Sequence, residues 1–114
     1  MKILKRLAVF CVLAAPVAAF AGGSATGTVT DVFVDAGFAN VLYVTLSGVK
    51  TGNPACSTST RGQFVIPFTA ANDYAYMVSV LLTAVQAGKT ATITGQNQCN
   101  VDSAVETIQN IKIT

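Results

Sequence analysis

Polar and apolar positions change their spacing several times along this chain, and each change marks an element. The first feature is an apolar run from Leu7 to Phe20, preceded by Lys2, Lys5 and Arg6 and closed by the small-residue pattern Ala19-Phe20-Ala21 before Gly22-Gly23. A basic start, a short apolar stretch and small residues at its end compose a secretory signal peptide. The run is shorter than the ~20 apolar residues that a bilayer requires, and Pro16 interrupts it. Cys11 lies behind Val9-Phe10, where lipoprotein maturation needs small residues, and Lys5-Arg6 is not an arginine pair. Residues 1–21 are therefore expected to be a signal for the general secretory route, cut between Ala21 and Gly22. Residues 22–114 are then one domain without a membrane span, periplasmic or secreted.

Beyond Gly22 the spacing alternates between two and 3.6. Gly27 to Val34 is rich in Val and Thr and reads as a strand whose alternation slips between Asp31 and Val32, as a bulge produces. After the turn-like Asp35-Ala36-Gly37, Val41 to Ser47 alternates cleanly, with Leu42, Val44 and Leu46 on one face and Tyr43, Thr45 and Ser47 on the other. Gly48 to Gly62 is a polar surface loop held by Cys56. Gln63 to Phe68 resumes strand character, and Pro67 marks its end or an exposed edge.

Between Thr69 and Ala87 the period becomes helical. Tyr74, Met77, Val78, Leu81, Leu82 and Val85 follow i, i+3, i+4, i+7, with Thr69 or Asn72 as cap and Gly88-Lys89 as stop. Two strands follow, Thr90 to Thr94 and Val105 to Ile113, with a turn from Gly95 to Asn100 between them. The order is three strands, a helix, then two strands. It predicts a mostly β, five-stranded OB-fold-like small barrel with one amphipathic helix between strands 3 and 4, the helix plugging one end through Met77, Leu81 and Val85. The alternative is an α+β sheet with one packed helix.

Composition changes the picture in three ways. Removal of the signal takes three basic residues away and leaves four basic residues against five acidic, so the apparent basicity belongs to the leader and gives no nucleic-acid signature. Only Cys56 and Cys99 remain, and in an exported chain an even pair is expected as a disulfide. A thiol chemistry reading lacks a CxxC spacing and any histidine.

Candidate chemistry is sparse. The chain has no histidine and no tryptophan, a single glutamate, Glu106, and aspartates at 31, 35, 73 and 102. Asp31 and Asp35 could meet across a turn as a carboxylate pair, although turn capping is the simpler use of two carboxylates there. No Gly-x-Ser-x-Gly context or calcium-loop spacing is present, so neither a catalytic residue nor a metal or other cofactor is assigned, and an enzyme is not expected. The residues singled out for binding are Tyr43, Tyr74 and Tyr76, whose rings can stack on sugars, and Arg61, the only arginine after Gly22. A core or solvated role is the plainer use of all four.

The chain resembles small exported bacterial OB-fold proteins that are themselves similar to the B subunit of subtilase cytotoxin. The resemblance is carried by Cys56 after the second strand, Phe64-Val65-Ile66-Pro67, Leu81-Leu82-Thr83-Ala84 near the helix end, and Gly88-Lys89 opening the next strand. It implies a non-catalytic binding subunit that assembles as a pentameric homo-oligomer and recognises sugars on host glycoproteins; no sugar-binding residue carries over. The other expectation is a monomeric periplasmic interaction protein that holds an envelope protein through the loop from Gly48 to Gly62.

Overall fold

A computed structural model of the chain describes residues 22–35, 41–58, 62–68 and 72–114. The expected signal over residues 1–21, the turn residues Ala36 and Gly37, Arg61 and Thr69 lie outside the described residues. Five strands and one helix follow one another as β1 (Ser24–Asp35), β2 (Val41–Leu46), β3 (Gly62–Pro67), α1 (Asn72–Ala87), β4 (Thr90–Gly95) and β5 (Ile108–Ile113). Val, Ile and Thr recur in the strands because branching at Cβ suits a pleated surface. The strands form one antiparallel sheet in the order β3-β2-β1-β4-β5.

The slip in β1 is a bulge, but it lies between Val29 and Asp31 rather than after Asp31. Val29 faces Leu46 and Asp31 faces Thr45, so Thr30 is the inserted residue. One extra residue reverses the parity of everything beyond it. Ala25 and Val29 point to the main core before the bulge, and Val32 does so after it.

The main core joins Ala25, Leu42, Val44, Leu46, Phe64, Ile66, Ala91, Ile93 and Ile108 of the sheet to Leu81 and Ala84 of α1. β2 was expected to bury one face only, yet Val41 and Tyr43 are buried as well, in a second cluster with Val65 and Val105. The cause is the segment before β5. It crosses the outer face of β2 and β3, with Val65 N–H donating to Glu106 O at 3.0 Å.

That crossing brings residues 106 and 107 beside β3 through a single parallel bridge between Val65 and Thr107, and the expected barrel does not close. In a parallel ladder the next bond would run from residue 67 to the carbonyl of residue 108. Pro67 has no N–H to give, and Ile108 O accepts from Gln96 Nε2 at 2.9 Å instead. On its other side this segment is held by Gln96 N–H donating to Thr107 O at 2.8 Å and Thr107 N–H to Gln98 O at 2.9 Å.

α1 begins with Asp73 in its first turn, where a negative charge suits the helix dipole. It stops at Gly88, whose φ of 60° is open to glycine at little cost. There Gly88 N–H returns to Val85 O and Lys89 N–H to Ala84 O, closing the last turn. Only part of the expected apolar face is covered. Leu81 and Ala84 are buried and Tyr74, Met77 and Val78 partly so, while Leu82 and Val85 are 49% and 45% exposed. The covered stripe is centred on Leu81 and Ala84, and Val85 and Leu82 fall progressively farther round the helix from it.

One ion pair organises the end of the sheet where β4 stops. Lys50 Nζ lies 2.9 Å from Glu106 Oε1, and neither side chain has any exposed surface. Lys50 also sits 4.2 Å above the Phe64 ring. Glu106 accepts Gly23 N–H on both oxygens, at 3.1 and 3.0 Å, and Asn97 N–H at 2.8 Å. Glycine is demanded around it: a Cβ at Gly95 would overlap the Glu106 carboxyl carbon, and one at Gly23 would press on Lys50 Cε and Glu106 Oε1. Burial lowers the Lys50 pKa from its usual value, and the hydrogen bond and charge of Glu106 oppose that shift.

The Cys56–Cys99 disulfide is formed, across a sequence separation of 43. It ties the loop after β2 to the turn after β4. Loop closure of that length corresponds to about 4 kcal/mol in the chain-entropy description. Reduction of the oxidised protein is therefore expected to lower its unfolding free energy in urea by about 4 kcal/mol; a change below about 1 kcal/mol would remove the disulfide from the stability argument.

A second prediction concerns the ion pair. Lys50→Met leaves Glu106 buried without its counter-charge and is expected to cost about 3–5 kcal/mol. Adding Glu106→Gln to Lys50→Met should recover at least about 1 kcal/mol in a double-mutant cycle, because the stranded charge is gone. Additive losses would show that the two groups are not coupled.

Candidate ligand groove

The bulge that reverses β1 also opens the surface beside it. Beside the inserted Thr30, β1 and the chain leaving β2 line a groove of about 600 Å³. Its polar wall consists of Thr30, Asp31, Thr45 and Ser47, and its apolar wall of Leu46 and Val49. Gly48 and Gly62 line it too. Gly48 packs so closely on Thr26 that a Cβ would overlap the Thr26 carbonyl oxygen, and a Cβ at Gly62 would press on Gly48 O.

Two of the groove hydroxyls are held in place. Thr30 Oγ1 donates to Thr45 O at 3.2 Å, and Thr28 N–H donates to Ser47 Oγ at 3.0 Å. Ser47 N–H in turn bonds Thr28 O at 2.9 Å. Asp31 is exposed at the groove. Three hydroxyls and one carboxylate present mainly acceptors to a ligand that brings its own O–H or N–H donors. Val49, 76% exposed, supplies an apolar edge beside them.

The residues singled out in the sequence go elsewhere. Tyr43 is not a binding surface: it is 5% exposed, stacks on Phe33 with ring centroids 4.7 Å apart, and donates its hydroxyl to Asp102 Oδ2 at 2.5 Å. Burial, then the hydrogen bond to Asp102, then the charges of Asp102 and Asp35, push its pKa up to about 12. Tyr74 is half-buried, accepts from Gln96 Nε2 at 3.0 Å, and lines an apolar hollow of about 280 Å³ with Pro67, Phe68, Ala75 and Val78. Tyr76 is 71% exposed on the far side of α1. Arg61 directly precedes the groove residue Gly62 in the chain but lies outside the described residues. The three tyrosines are thus not gathered into one site.

Asp31 and Asp35 do not face each other across a turn. Both belong to β1, four positions apart, which at the rise of a strand separates them by about 13 Å. The loop from Gly48 to Gly62 is less free than its composition suggests. Thr51 exchanges backbone bonds with Ser24 at 2.8 Å, Thr58 N–H reaches Ala104 O at 3.1 Å, and Lys50 and Ser57 are buried.

Sequence reasoning passed over Thr30, Thr45 and Ser47, and the Lys50–Glu106 pair. The slip in β1 was the available signal for the groove. For the pair it was a lone glutamate inside the apolar alternation of Val105 to Ile113, together with glycines at 22, 23 and 95. Among the described residues there is no group of three His, Cys, Asp or Glu side chains placed to hold a metal, and no helix is long and apolar enough to cross a membrane. Comparison with family models, curated proteins and solved structures finds no match to this chain.

The Tyr43 hydroxyl gives a pH prediction. Its folded pKa lies above the unfolded value of about 10, so its contribution to stability is intact below pH 10 and is lost as pH rises toward 12. In an alkaline titration followed by tyrosinate absorbance, Tyr43→Phe should remove a step near pH 12. Any stability advantage of the wild type over that variant should shrink between pH 10 and 12, and an advantage constant across that window would place the Tyr43 ionisation elsewhere.

Proposed function

We propose that this chain is an exported, non-catalytic binding module whose groove beside the β1 bulge holds a glycan. The observation that carries the reading is the lining of that groove: Thr30, Asp31 and Thr45 offer oxygen acceptors and Ser47 its O–H, with the apolar edge of Val49 alongside. Sugars match such a surface because they combine many O–H donors with patches of C–H. A small disulfide-bonded domain accords with a periplasmic or secreted location, as does the leader-like start of the chain. An open sheet with an OB-like strand order is the architecture we favour. The sheet order β3-β2-β1-β4-β5, the helix after β3 and the parallel approach of residues 106 and 107 to β3 support it.

A second reading, an interaction protein that contacts an envelope protein or further copies of itself, draws on a separate observation. Tyr76, Leu82 and Val85 on α1, with Phe68 beyond β3, expose apolar surface away from the groove. Light scattering across a concentration series distinguishes the forms of this reading, since a pentameric ring has five times the mass of one copy.

The glycan reading is tested by screening the oxidised protein against a glycan array and titrating the strongest ligand. Asp31→Ala is expected to weaken binding at least tenfold, the loss of one good charged hydrogen bond. Its melting temperature should stay within about 2 °C of wild type, because Asp31 is exposed. Retained affinity in Asp31→Ala, or silence on the array, removes the groove from the reading; capture of an envelope protein that depends on Tyr76 and Leu82 would favour the second.

A further inference from the structure

Neither the groove nor the core explains Gly22. It is buried, and a Cβ built on it would overlap Glu106 Oε2, Gly95 O and the Asn97 nitrogen. With standard backbone geometry, that overlap puts the Gly22 nitrogen within about 5 Å of the Glu106 carboxylate. Its neighbour Gly23 donates to both carboxylate oxygens, and Gly23 O accepts from Gly95 N–H at 2.8 Å, so this stretch is fastened at the ion pair. Gly22 is also the first residue after the Ala19-Phe20-Ala21 pattern.

We propose that cleavage of the Ala21–Gly22 bond locks the domain, because the α-ammonium released on Gly22 pairs with the buried carboxylate of Glu106. The proposal rests on the export reading. The step is a hydrolysis: an endopeptidase of the export route adds one water across the amide, leaving a carboxylate on Ala21 and an ammonium on Gly22. Before the cut the same nitrogen is an uncharged amide with at most one N–H; after it, a cation with three.

Lys50 Nζ, Gly23 N–H and Asn97 N–H make four contacts with the two oxygens, the Gly23 N–H being shared between them. That shared contact is the one the ammonium displaces, since the two oxygens offer about four acceptor positions. Lys50 and Glu106 are the charged groups that pack on Gly22 and Gly23 among the described residues. An ammonium that enters this neighbourhood meets a charge-assisted acceptor already fixed in place, the kind of hydrogen bond that is shorter and stronger than a neutral one. The cut must fall before Gly22 and nowhere nearby, since one or two leftover residues would carry the charge past Glu106.

The test uses the full chain, oxidised, with residues 18–21 replaced by Ile-Glu-Gly-Arg so that factor Xa cuts immediately before Gly22. A matched chain carries the same sequence at 16–19 and is left with Phe20-Ala21 ahead of Gly22. Cutting before Gly22 is expected to raise the melting temperature about 5 °C above that of the matched product, and Glu106→Gln should erase the difference. Equal melting of the two products, or a difference that persists in Glu106→Gln, overturns the pairing.

Should Glu106→Gln fail to fold, the Gly22 amine itself is read by acylation at pH 7. It should react at least tenfold more slowly in the folded product than in urea, and equal rates overturn the pairing. The first residue of the wild-type chain recovered from an exporting bacterium, read by mass spectrometry, addresses the other premise. A first residue other than Gly22 overturns the lock, and an uncut chain beginning at Met1 overturns the export reading as well, while the melts still report the charge pair by themselves.

Discussion

The carboxylate of Glu106 is the point at which most of this molecule meets. It reaches the interior from the segment before β5, and everything near it is arranged around its charge. Lys50 arrives from the loop after β2 to neutralise it, Gly23 and Asn97 turn backbone N–H groups onto it, and Gly95 leaves the space it occupies. A buried ion pair is costly to desolvate and is kept only with near-complete hydrogen bonding. That requirement joins the stretch before β1, the β2–β3 loop, the end of β4 and the segment before β5. In a domain this small it provides a closure that the sheet itself does not make, since β3 and the last strand meet at one bridge.

The second organising feature is the bulge at Thr30. One inserted residue keeps β1 apolar-inward on both sides of the break, which lets a single long strand pair with β2 along its second half and with β4 along its first. The same irregularity leaves the hydroxyls of Thr30, Thr45 and Ser47 gathered at a groove. Bulges commonly re-aim side chains where pairing ends. Here the fold and the proposed ligand surface have one local cause.

Tyr43 shows why residue type alone is a weak guide to sites. A tyrosine on the expected outer face of an alternating strand suits stacking on a sugar. The segment leading to β5 crosses that face, however, and its Asp102 takes the tyrosine hydroxyl, converting a candidate binding ring into a tether between distant parts of the chain. Tyr76, by contrast, stays exposed, on the side of α1 opposite Val85.

What the sequence determined by itself is local: the six elements, the irregularity in β1, the stop at Gly88 and the pairing of two cysteines. The first three are written in spacing or in the backbone preference of a residue within a few positions, and the cysteine pairing in an even count after the leader-like start. Element ends were displaced where no local signal marks them. β1 begins at Ser24 rather than Gly27 because β4 is there to pair with it, and β5 begins at Ile108 rather than Val105 because residues 105–107 turn against β3. Only the tertiary structure decided that β2 is buried on both faces, that Val85 and Leu82 are not, and that Pro67 and the Gln96 side chain keep the sheet open. The Lys50–Glu106 pair belongs with these. Its partners are far apart in the chain, and nothing in either one's neighbourhood encodes a charge that becomes tolerable only when the other is brought to it.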